Sequence, residues 1–94
     1  MSKKVTVELT GTAWILAGRR EVSVKIQDGV TWRDVIAVLA QASPALVREV
    51  ITKDRRDLVG SFMLNLGGTH TIHDLDEDAR LEEGDHLALL SETC

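Results

Sequence analysis

Val5, Val7 and Leu9 alternate with Thr6, Glu8 and Thr10 near the start of the chain. This period of two predicts a half-buried β-strand. Gly11 interrupts it, and Thr12 to Leu16 followed by Gly18-Arg19-Arg20 reads as a hairpin turn. The returning strand is marked by Val22, Val24 and Ile26 between Glu21, Ser23, Lys25 and Gln27, and Asp28-Gly29 closes it. Thr31 then fits a helix N-cap, with Asp34 at the third helical position in place of the glutamate of a capping box. The helix carries Val35, Ile36, Val38 and Leu39 on one stripe and ends near Ser43-Pro44, where proline cannot extend the hydrogen-bond ladder.

Beyond the proline, Ala45 to Ile51 suggests a second short helical piece. Strand character returns from Ser61 to Leu66, with Phe62, Leu64 and Leu66 alternating against Met63 and Asn65, and Gly67-Gly68 opens a turn. Residues 69 to 80 are polar and weakly periodic. Leu81-Glu82-Glu83-Gly84-Asp85 forms a turn, and the strand from His86 to Leu90 is too continuously apolar for an exposed edge, which predicts a buried central strand. The order of a strand pair, a helix and then further strands suits an α+β, ubiquitin-like β-grasp. Such a fold has a four- to five-stranded mixed sheet, one main helix packed across one face, and the last strand beside the first. Residues 1–94 read as a single domain, with 91–94 a flexible tail.

Composition narrows the class without choosing a function. Apolar content of 44% and charged content of 28% are those of an ordinary globular domain. No apolar run reaches the ~20 residues of a spanning helix and no signal-peptide pattern follows Met1, so no membrane and a cytoplasmic location are expected. One cysteine, Cys94, excludes an internal disulfide. The net charge of -4 is uneven: residues 1–60 hold ten Lys or Arg against seven Asp or Glu, whereas 61–94 hold Arg80 against eight acids. An acidic last third repels phosphate backbones and attracts basic protein surfaces, so no nucleic-acid partner is expected. In Lys53-Asp54-Arg55-Arg56-Asp57 the two signs interleave, as in a solvated loop.

Three patterns invite chemistry. Asp74, Asp76, Asp78 and Asp85 resemble the oxygen-ligand spacing of a calcium loop, but Ala79 stands where that loop needs glycine. His70 and His73 could share a zinc ion only on a helix, and their neighbours argue for turn and strand. Cys94 is the one nucleophile in the tail; Glu92 nearby raises a thiol pKa, and no cation is adjacent in sequence to lower it. No base positioned by a third group, nucleophile elbow or phosphate loop is present, so the chain does not read as an enzyme, and neither a metal nor a cofactor is expected. Trp32, in the first helical turn, fits packing against the sheet edge; Trp14 fits either core or a partner anchor.

Several short motifs carry a family resemblance. Val30-Thr31-Trp32-Arg33-Asp34-Val35-Ile36 at the helix start, Pro44-Ala45-Leu46, Leu64-Asn65, and above all Leu81 to Leu90 with its Gly84-Asp85 pair resemble the ubiquitin-like MoaD/ThiS sulfur carriers over essentially the whole chain. In the turn, Gly84 can take a positive φ, Asp85 can bond its own backbone and Leu81 can pin the turn to the core. The resemblance implies a protein that docks to larger enzymes through its sheet face and C-terminal tail. Its partners would be an E1-like adenylating enzyme, a sulfur donor and a larger acceptor enzyme, and its site the tail Leu90, Ser91, Glu92, Thr93 and Cys94. The family ends in Gly-Gly, which is converted to a thiocarboxylate, whereas this sequence reaches Cys94 about where the diglycine would begin. Three readings stay open: two further residues, an end that uses another group such as the Cys94 thiol, or a degenerate carrier that acts only as a protein-binding or regulatory module. Gly67-Gly68 is no substitute, because it sits where the strand through Asn65 must turn.

Overall fold

The computed structural model describes residues 2–60, 62–68 and 70–91. Strand β1 (Ser2–Leu9) runs antiparallel to β2 (Glu21–Gln27), with Val5 opposite Val24 and Val7 opposite Val22. The alternation read from the sequence is therefore a shared buried face. Strand β3 (Phe62–Leu66) is followed by the two-residue β4 (His70–Thr71), and β5 (His86–Ser91) inserts between β1 and β3. The sheet order is β2-β1-β5-β3-β4, with β5 parallel to β1 and antiparallel to β3. This is the mixed five-stranded sheet of an α+β β-grasp, and its last strand is central as its apolar run requires.

One element departs from expectation. Residues 12–17 are not a tight hairpin turn but a helix, α1 (Thr12–Ala17). Gly11 at φ 56° turns the chain out of β1, Thr-Ala-Trp-Ile-Leu-Ala contains no helix breaker, and Gly18 at φ 73° ends the helix in a left-handed cap. β1 and β2 still pair, because the two glycines let the helix fold back on the strand ends.

The main helix, labelled α2 (Trp32–Ala42), lays Trp32, Val35, Ile36, Leu39 and Ala40 into the core. Its start is fixed as the sequence predicts: the Asp34 carboxylate accepts the Thr31 backbone N–H at 3.0 Å and the Thr31 hydroxyl at 3.2 Å. Beyond it, Ala45 to Ile51 does not become a second helix. A single 3-10 turn at Pro44–Leu46 gives way to irregular chain, with Arg48 at φ 85° and Val50 and Ile51 fully buried. These β-branched residues pack inward better than they propagate a helix.

Candidate functional site

The turn before β5 aims the chain's last strand. Leu81 is buried at 1% exposure, Gly84 adopts φ 86°, and the Asp85 carboxylate accepts the Glu82 backbone N–H at 2.8 Å. The Gly84 N–H donates to the Lys4 carbonyl at 2.9 Å and the Thr6 N–H to the Asp85 carbonyl at 3.1 Å, which registers the turn on β1. Leu81, Gly84 and Asp85 thus show the local turn geometry expected from the sequence.

From that anchor β5 crosses the sheet centre. Leu87 and Leu89 face the core at 0% exposure, while His86, Ala88 and Leu90 take the opposite parity and look outward. Leu90 is paired with Met63 and Ala88 with Asn65, so the outer face carries a half-buried apolar strip, Ala88-Leu90-Met63, at the far end of β5. The Thr10 hydroxyl, just past β1, donates to the Leu89 carbonyl at 2.9 Å and ties this end of β5 to β1. Ser91, expected in the tail, is instead the last residue of β5 and pairs with Phe62. Antiparallel pairing with β3 carries the strand one residue further than its apolar run indicates. Glu92, Thr93 and Cys94 lie outside the described residues.

Beside the apolar strip the outer face is charged. Glu8 on β1 stands directly opposite Glu21 on β2, a cross-strand like-charge pair, and His86 Nε2 lies 3.8 Å from a carboxylate oxygen of each. Nothing in the alternation of single strands announces that juxtaposition, since it depends on β5 entering beside β1. Asn65 is 8% exposed; its amide nitrogen donates to the Thr71 hydroxyl at 3.2 Å, and its amide oxygen has no partner.

The other candidate residues are placed elsewhere. Asp76 is engaged by Arg33 at 2.7 Å, Asp74 accepts the Asp76 backbone N–H and Asp85 closes its own turn, so three of the four carboxylates with calcium-like spacing serve separate bonds. Among the described residues, no group of three or more His, Cys, Asp or Glu is placed to hold a metal ion. His70 lies on β4 and His73 in the loop after it, not on a helix, and both are exposed. Trp32 is buried at 4% beneath a groove lined by Leu66, His70 and Ile72, whereas Trp14 is 41% exposed on α1. The basic loop is solvent-facing, with Arg56 paired to Asp34 at 2.8 Å. No helix among the described residues is long and apolar enough to cross a membrane.

A five-stranded mixed sheet with one main helix, a central last strand and an outward strip at its end defines a ubiquitin-fold protein. Solved structures with this fold include small archaeal modifier protein 1 from Haloferax volcanii, at 27% identity and TM-score 0.78 over 96% of both chains. The same modifier from Methanosarcina acetivorans matches at 23% identity and TM-score 0.75, over 99% of this chain and 96% of that one. A candidate molybdopterin converting factor, subunit 1, from Pyrococcus furiosus matches at 21% and TM-score 0.69, over 96% of this chain and 98% of its own. No family model matches the sequence, and no curated protein matches it significantly. The chain thus shares the ubiquitin-like β-grasp fold of these small modifier and converting-factor proteins.

Proposed function

We propose that this protein is a ubiquitin-like carrier of the sulfur-carrier or modifier type, which docks to larger enzymes through its outer sheet face and presents its C-terminal tail to their active sites. The observation that carries the proposal is the exit of β5: a strand locked at the sheet centre delivers Leu90 and Ser91 at the end of an apolar strip formed with Met63 and Ala88. Docking on such a strip buries apolar area on a strand that is already ordered through Ser91, so the strand itself loses little ordering entropy on binding. By the family resemblance the partners are an E1-like adenylating enzyme, which would activate a terminal carboxylate with ATP, and a larger acceptor enzyme that takes the sulfur.

The test is the intact mass of the protein from its native host, before and after incubation with the E1-like enzyme of the same genome, ATP and a sulfur source. Replacement of one carboxylate oxygen by sulfur supports a thiocarboxylate carrier. Addition of one sulfur atom that reductant removes assigns the cargo to the Cys94 thiol as a persulfide. An unchanged mass, with binding to the enzyme retained, makes the protein a binding or regulatory module and defeats the carrier proposal.

A further inference from the structure

We infer that two copies of this chain join through the open edges of their β2 strands, antiparallel about a two-fold axis at Ser23, to make one continuous sheet; the inference is independent of the docking reading above. β2 is the outermost strand on its side of the sheet and, at seven residues without a proline, the longer of the two edges. Its register on β1 decides where its backbone groups point. The Leu9 N–H donates to the Arg20 carbonyl, so this pair and every second pair after it exchange the hydrogen bonds of the β1–β2 ladder. Glu21, Ser23, Lys25 and Gln27 fall between those pairs and turn their N–H and C=O groups to the open edge, where they have no backbone partner among the described residues. Such an edge is a template for another strand.

Charge selects a second copy, and one register of it. On the outer face Glu8 stands opposite Glu21 and Lys4 opposite Lys25, so β1 and β2 hold a like-charge pair of each sign. Each pair is unfavourable within a single copy. His86 lies against the two glutamates and Glu83 accepts the Lys4 backbone N–H, but neither lysine ammonium has an ion-pair partner among the described residues. A two-fold axis at Ser23 sets Glu21 of each copy opposite Lys25 of the other and Ser23 opposite Ser23, with the outward backbone groups face to face. Each row across the joined sheet then runs Glu8-Glu21-Lys25-Lys4, and both like-charge pairs gain an opposite neighbour. A slip of two residues loses the charge pairing, and a slip of one turns the backbone groups away from each other. Val22, Val24 and Ile26 on the inner face are already buried, so joining the edges adds hydrogen bonds and charge contacts with little apolar area. The dimer is accordingly weak and salt-sensitive, and because β1 separates β2 from β5 it leaves the strip at Leu90 open.

The experiment is sedimentation equilibrium of the full chain at up to about 1 mM, a range that reaches weak association, for wild type, Glu21→Lys, Lys25→Glu and an equimolar mixture of the two variants. Wild type should dimerise at low salt and dissociate in 1 M salt. Each variant alone sets like charges opposite each other across the axis and should raise Kd by about tenfold or more. Their mixture should recover the dimer, because one edge then carries two cations and the other two carboxylates. Amide exchange followed by NMR on wild type should slow at Glu21, Ser23 and Lys25 as concentration rises. A wild type that stays monomeric at about 1 mM overturns the inference. So does a mixture that dimerises no better than its parts. A dimer in which those three amides exchange as fast as in the monomer, and which Leu90→Asp dissolves, is stacked through the apolar strip, and that also overturns it. Glu21 and Lys25 are exposed, and each substitution relieves a like-charge pair within its own chain, so the fold should be kept. Equal or higher thermal midpoints check this, and the wild-type amide exchange decides the matter if a variant fails to fold.

Discussion

At the residue scale, the turn that aims β5 separates backbone demand from packing demand. A Cβ built on Gly84 meets no atom within 4 Å, yet its φ is +86°. The position is therefore closed to other residues by conformation and not by space. Gly84→Ala is expected to cost about 1–2 kcal/mol, the penalty of a left-handed backbone for a residue with a Cβ. Gly84→Asn should cost less, since asparagine tolerates that region, and Gly84→Val more. Urea midpoints at constant m-value measure the series; equal losses for alanine and asparagine would mean that something other than backbone conformation is at stake.

At the element scale, the parts legible in the sequence are those whose burial follows from a single periodicity. β1, β2 and α2 bury the positions their patterns mark, save Val38, which is half-buried, and β5 could be placed at the centre because Leu87 and Leu89 lie in an unbroken apolar run. The parts that were not legible depend on tertiary contact. α1 is only six residues long, below the length at which periodicity separates helix from turn, and β4 is two residues held by pairing with Asn65 and Leu66. The candidate site was half legible: Leu81, Gly84 and Asp85 form a local turn, whereas Met63 beside Leu90 and His86 between Glu8 and Glu21 come together only through strand order. The same distinction predicts dynamics. Native-state hydrogen exchange should protect the β5 and β1 amides up to the free energy of global unfolding, while α1 and β4 open locally at lower cost. Leu89→Ala, which empties a fully buried site on β5, should lower global stability by about 2–5 kcal/mol and shorten protection throughout the sheet. Equal protection of α1 and β5 would contradict this hierarchy.

At the scale of the whole molecule, ion pairs tie the loops to the core and make stability depend on acid. Arg33 Nε pairs with Asp76 at 2.7 Å and its Nη1 donates to the Arg56 carbonyl at 3.0 Å, while the Arg33 and Trp32 N–H groups donate to the Leu75 and Glu77 carbonyls. The acidic loop and the basic loop are thereby both fastened to the start of α2. Four carboxyls are held below the ordinary aspartate value of 3.8: Asp76 by the Arg33 hydrogen bond, Asp28 by that of Lys3, Asp34 by the Thr31 N–H and then Arg56, and Asp54 by the Thr52 hydroxyl. Each folded carboxyl binds its proton less readily than the unfolded one, so its contribution is complete above the unfolded value and is lost as pH falls through the lower folded value. The thermal midpoint should fall steeply below about pH 4. At 1 M salt the Debye length is about 3 Å, and the exposed Asp76 and Asp28 pairs should contribute less. The Asp34 and Asp54 shares should persist, because their first causes are the Thr31 N–H and the Thr52 hydroxyl and not a screened charge. Asp34→Asn is then expected to lower the midpoint at neutral pH and to flatten the acid slope that remains in high salt. An acid slope that high salt abolishes would assign the acid sensitivity to surface charge alone, and one that Asp34→Asn leaves unchanged would remove the helix start from its origin.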